Sequence, residues 1–170
     1  MSVLEIVRYP DPILRQNAEK IEEINDDIKK LSEDMADTMY EDKGVGLAAN
    51  QVGILKKIIV IDPAPDPEKR NFLTLINPVI VEAEGQQISR EEGCLSLPGI
   101  RSDVKRYTRV KVEAFNLDGE PVVLEDEGLV SIILQHEIDH LNGKVFIDRI
   151  SSLKRKIYHK KLVKQAQEYA

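Results

Sequence analysis

At 170 residues, with 42% hydrophobic and 32% charged residues, the chain has the length and balance of one soluble domain with its own core. No apolar run approaches the roughly 18 residues of a membrane helix, the opening "MSVLEIVRYPDP" lacks the basic stretch and apolar core of a secretion signal, and a lone cysteine, Cys94, excludes an internal disulfide. These features predict a cytoplasmic protein with no membrane partner, in which a reducing compartment keeps Cys94 available as a thiol or a ligand.

In chain order, "DPILRQNA" opens with a proline at a helix start, and "NDDIKKLSEDMADTMYEDKG" predicts an amphipathic helix that buries Ile28, Leu31, Met35 and Met39, with Asn25 or Asp26 as cap and Gly44 as stop. "DPAPDPEKR" is an exposed loop, because its prolines spoil a strand. The stretches "KKIIVID", "FLTLINPVIVEAEG" and "VKRYTRVKVEAFNLDGEPVVLED" read as strands, the last folded back at "NLDGEP". From Gly128, "LVSIILQHEIDHL" has helical length and apolar residues all round, which places it through the middle of the fold. Residues 151–170 carry six Lys or Arg against one Glu, so this tail holds +5 of the net −6 and leaves −11 for the first 150 residues. It reads as a basic terminal helix docked through Leu153, Ile157 and Leu162, with a solvated cationic face that also suits an acidic or RNA-rich partner.

On the buried helix, "QHEIDHL" puts His136 and His140 four apart, so both imidazoles project from one face and reach one metal ion. Glu137 follows about 100° round the helix, beside the ion's open position. That is the arrangement of a metal-assisted hydrolase, with two histidines as ligands and a glutamate as proton acceptor. The extended protease pattern H-E-x-x-H-x-x-G-x-x-H fits as far as Gly143 but ends on Phe146, which cannot bind metal. His159, Asp148 and Glu168 lie downstream as alternatives, and upstream stands Cys94 in "REEGCLSLPGIR", preceded by Gly93 and followed by a short apolar strand expected to close at Pro98 and Gly99. Spacing alone leaves these open. Gly44 and Gly46 in "GVGLAANQ" do not make a phosphate loop, since neither the dinucleotide spacing nor Gly-Lys-Ser/Thr is present. They let the chain turn and lie against an extended substrate backbone.

"GVGLAANQ" at 44–51, "EGCLS" at 92–96 and "QHEIDHL" at 135–141 together resemble the three signature motifs of the peptide deformylases, in order and over essentially the whole length. The resemblance implies a single α+β catalytic domain over residues 1–170, with mixed or antiparallel sheets packed around a central metal-binding helix and a C-terminal helix. It implies removal of the formyl group from the N-terminal formyl-methionine of nascent polypeptides, with release of formate. Residue for residue, Cys94, His136 and His140 would hold the metal, typically Fe2+ with Zn2+, Ni2+ or Co2+ able to replace it, and Glu137 would be the general acid/base. The Gln51 side chain and the Leu95 backbone N–H would face the oxyanion. Gly44, Val45, Gly46, Glu92, Gly93 and Arg101 would line the substrate path, and Leu129, Ile132 and Ile133, with Val45, the methionine pocket. The substrate's origin extends the tail reading to a ribosome contact through residues 151–170. Two rival readings remain on the residues alone: a zinc endopeptidase using the same H-E-x-x-H, and a structural metal domain with an RNA-binding tail.

Overall fold

A computed structural model describes residues 2–66 and 68–168; Pro67 of the expected loop and the last two residues of the expected tail helix lie outside them. The first helix, α1 (Asp26–Glu41), starts where the Asn25 side chain accepts the Ile28 N–H at 3.1 Å, and it buries Ile28, Leu31, Met35 and Met39 as the periodicity predicts. Its stop differs from the expectation. Lys43, not Gly44, takes the left-handed conformation (φ 57°), and the N–H groups of Lys43 and Gly44 return to the Tyr40 and Met39 carbonyls at 3.1 and 2.9 Å. Gly44 instead brings the chain close to Leu95, whose Cδ1 would lie 3.0 Å from a Cβ there.

Strands β1 (Gly46–Ala48), β2 (Ile58–Ile61), β3 (Leu73–Glu84), β6 (Arg109–Phe115) and β7 (Pro121–Glu127) form one antiparallel sheet in the order β1-β2-β3-β6-β7. The turn between β6 and β7 is the predicted one: Asn116 caps the Asp118 and Glu120 N–H groups with its side chain, and Gly119 takes φ 79°. Strands β4 (Gln87–Cys94) and β5 (Leu97–Arg106) pair only with each other, so each keeps one open edge. The expected strand end at Pro98 and Gly99 is not there. β5 runs through both residues, and the ladder slips between the Cys94–Leu97 and Glu92–Ser102 pairs, where a proline without an N–H and a glycine at φ 78° fit a bulge.

Period two explains how β2 holds the layers together. Ile59 and Ile61 face the cluster that contains Ile133, Leu134, Ile138 and Leu141 of helix α2 (Gly128–Leu141), while Ile58 and Val60 face the α1 cluster. Helix α2 therefore runs beneath the sheet with nine buried residues, as the apolar residues on all its sides predict. The fold is α+β, with antiparallel sheets around that helix. Helix α3 (Ser152–Glu168) docks through Leu162 as expected, but Leu153 and Ile157 are 69% and 56% exposed, and Tyr158 and a 2.6 Å bond from Tyr9 to His159 hold the helix in their place. Residues four apart share a face, and here the docked stripe is 158/162 rather than 153/157.

Candidate metal centre

α2 brings His136 and His140 to one side of the helix, and the tight turn after β4 brings Cys94 to them from the separate hairpin. The three ligand atoms lie within 4.8 Å of one another, with Cys94 Sγ 3.3 Å from His140 Nε2. Among the described residues this is the one such group, and the downstream candidates are engaged elsewhere: Asp148 with Arg15 and the Val145 N–H, His159 with Tyr9. Phe146, where the protease pattern needs a third histidine, stacks against the His136 ring with centroids 6.3 Å apart.

Every site residue named from the sequence lines one cleft of about 560 Å³ except His140, which sits behind it at 1% exposure. The cleft runs between β1, an edge strand, and the open side of the β4–β5 hairpin. Val45 (38% exposed) and Leu129 (54% exposed) stand at its apolar wall with Ile132, whereas Ile133 is 4% exposed and also belongs to the core under the sheet. Gln51, on the single helical turn after β1, is buried; its Oε1 accepts the Ala48 N–H at 3.0 Å, and its Nε2 donates to Ser96 Oγ at 3.1 Å and to Cys94 Sγ at 3.4 Å.

Glu92, expected along the substrate path, has its carboxylate committed elsewhere. One oxygen meets His136 Nδ1 at 2.7 Å, and both oxygens are held by Arg106. Burial pushes Glu92 up, but the bonds and charges of His136 and Arg106 outweigh it and pull it down to about 2. Glu92 thus orients His136 through Nδ1 and leaves Nε2 for a ligand, the carboxylate–histidine–metal relation. Sequence reasoning missed Arg106, which bridges Glu92 to Asp139 (2.9 Å), and Arg149, which closes on Asp139 from outside. The signal available was Asp139 inside "EIDH", an acid on a buried helix that calls for a cation.

Glu137 is 3% exposed and its Oε1 has no partner. Burial pushes its carboxyl up to about 7, with the charges of His136 and Arg106 opposing and that of Glu92 adding. Burial also holds His140 well below the usual histidine range, helped by the charges of His136 and Arg106, which favours the neutral imidazole that a metal needs. A soft sulfur, two imidazoles and an unpartnered buried carboxylate fit a divalent ion with an open position. Gly46 makes room for that carboxylate: a Cβ there would stand 2.5 Å from Glu137 Oε2. We expect Gly46→Ala to displace Glu137, cutting turnover by about tenfold or more with metal content unchanged; kinetics beside metal analysis check it.

The sequence profile of the polypeptide deformylases matches residues 3–156, and a peptide deformylase of Thermodesulfovibrio yellowstonii is 49% identical over 161 residues, covering 95% of this chain and 97% of its own. The chain belongs to the polypeptide deformylase family. A peptide deformylase of Buchnera aphidicola is 51% identical across 96% of both chains. The deformylase of Legionella pneumophila superposes with a TM-score of 0.90 at 40% identity, over 99% of this chain and 98% of its own, and that of Ehrlichia chaffeensis, solved in complex with actinonin, with 0.90 at 38% over 97% and 98%. As a deformylase the chain is a metal-dependent hydrolase that removes the N-terminal formyl group of nascent peptides, and Cys94, His136 and His140 make a group that could hold the metal ion. No helix among the described residues is long and apolar enough to cross a membrane.

Proposed function

We propose that this cleft carries out deformylation with Glu137 as general acid/base and with Gln51 and the Leu95 N–H as oxyanion donors, in a single catalytic domain working in the cytoplasm. The observation that carries the reading is the unpartnered Glu137 carboxylate at the foot of the cleft, beside three converging ligand atoms. A divalent ion held by Cys94, His136 and His140 would supply a Lewis acid that acidifies water and polarises the formyl carbonyl. Glu137 accepts the proton from the attacking water and returns it to the departing amine; a carboxyl held near 7 suits both transfers. The Gln51 N–H aimed at Cys94 makes a long contact of 3.4 Å, so it is free to meet an oxygen that gains charge beside the sulfur. Such a donor contributes about 3 kcal/mol in other acyl transfers. The edge strands receive the peptide backbone, and Val45, Leu129, Ile132 and Ile133 take the methionine side chain.

Membership of the deformylase family supports Fe2+ as the native ion, with Zn2+, Ni2+ or Co2+ as replacements, since a sulfur-plus-imidazole set by itself suits several of these ions. Protein purified without oxygen and loaded with Fe2+ or Ni2+ should release formate from formyl-Met-Ala-Ser; no formate from either form would sink the reading. Metal analysis of the anaerobic preparation identifies the ion. The exposed Leu153 and Ile157 share a helix face with Lys160, Lys161 and Lys164, which supports a ribosome contact through α3. Ribosome cosedimentation should weaken when residues 151–170 are deleted and on raising salt; an unchanged pellet would count against it.

A further inference from the structure

Beyond the methionine pocket, the mouth of the cleft carries charge that no step so far has used. Lys43 closes α1 in the left-handed conformation and lines the cleft beside Gly44. Its ammonium is exposed and has no hydrogen bond or ion pair among the described residues. Across the cleft, Arg101 lies over Gly93, its Nη1 3.2 Å from the site of a Cβ there, and makes one bond, to the Glu91 carbonyl at 3.2 Å. Of the other cleft charges, Arg90 is paired with Asp103 at 2.9 Å, Glu92 is paired with Arg106 and His136, and Glu137 lies buried at the foot of the cleft, away from the rim. Glu91 is the one rim carboxylate left unpaired, so the uncommitted rim charge is two cations against one anion. This is local, since the first 150 residues carry −11.

We propose that Lys43 and Arg101 make the enzyme selective for nascent chains with acidic side chains in the first residues after formyl-methionine. An extended chain sends successive side chains to opposite sides, so a peptide lying between the two walls offers one residue to Lys43 and the next to Arg101. At the exposed rim, a unit charge pair is a modest, salt-sensitive attraction, enough to grade substrates without deciding whether they react.

The inference rests on the deformylase reading, and a neutral peptide separates the two. For metal-loaded protein at low salt, kcat/KM for formyl-Met-Glu-Asp should exceed that for formyl-Met-Lys-Lys by about tenfold, with formyl-Met-Ala-Ser between them and the spread compressed in 0.5 M NaCl (roughly a 4 Å screening length). Lys43→Glu should shrink the acidic-to-basic ratio by at least about fivefold, read within each protein against its own neutral peptide, and Lys43→Arg should keep it. Equal values for the acidic and basic peptides, or a ratio that Lys43→Glu leaves unmoved, would overturn the proposal. Absence of formate from the neutral peptide would instead remove the deformylase reading, and this inference with it.

Discussion

Glu137→Gln should lower formate release by about a thousandfold while the protein still binds its metal. The reason is local. Glutamine has nearly the same shape, so it fits the space that Gly46 leaves beside the side chain, and it touches none of the three ligand atoms. What it removes is the carboxyl proposed to take and return the proton. Because glutamine is neutral, the burial that holds Glu137 up to about 7 no longer opposes folding near neutral pH. The sign is that of a raised carboxyl: the native state loses stability as pH climbs from the ordinary value toward 7, and the amide escapes that loss. The variant should therefore melt no lower than its parent. Metal analysis, a thermal scan and formate kinetics on one preparation test this, and turnover within tenfold of the parent would remove Glu137 from its assigned role.

Arg106→Met should destabilise the fold by about 3 to 5 kcal/mol, the usual result of removing one partner from a buried ion pair. Arg106 is 5% exposed and holds two carboxylates apart from solvent, Glu92 on β4 and Asp139 on α2. Without it both face the interior with one partner fewer, and Glu92 loses the cation that keeps it ionised for His136. Arg149 is half exposed and cannot replace it, since its reach ends at Asp139. Urea denaturation of the two proteins measures the difference, and a loss below about 1 kcal/mol would show that the network is dispensable. Arg106→Met/Glu92→Gln/Asp139→Asn should recover much of the loss, because neutral amides are far less costly to bury than unpaired charges.

What the sequence disclosed and what it withheld follow from the range of each signal. Local periodicity was enough for α1, for the β6–β7 hairpin and for α2, because each is written in residues that lie within a few turns or a single turn motif. The pairing of His136 with His140 was readable for the same reason. That Cys94 stands beside the two histidines was not readable from spacing, since its distance to the helix depends on how the β4–β5 hairpin sits against α2; the combined motifs pointed to it. The stop at Lys43 escaped because a non-glycine in the left-handed region is held there by two backbone bonds that composition does not reveal. The docking of α3 was misread at Leu153 and Ile157 because apolar residues on a terminal helix mark a stripe without saying which stripe finds a partner. Arg106 went unremarked in "VKRY", where alternation already places its side chain inward but nothing local names the two acids waiting there.

The three residues that could hold the ion are divided between two bodies of structure that share no strand pairing: Cys94 ends strand β4 of the β4–β5 hairpin, and both histidines ride on α2 beneath the five-stranded sheet. An ion gripped by all three would be a cross-link as well as a reagent, closing a long loop of chain much as a disulfide does in proteins that have a second cysteine. Loading it should slow backbone hydrogen exchange in the hairpin more than in α1, which makes the ion a fastener of the very wall against which the substrate must lie.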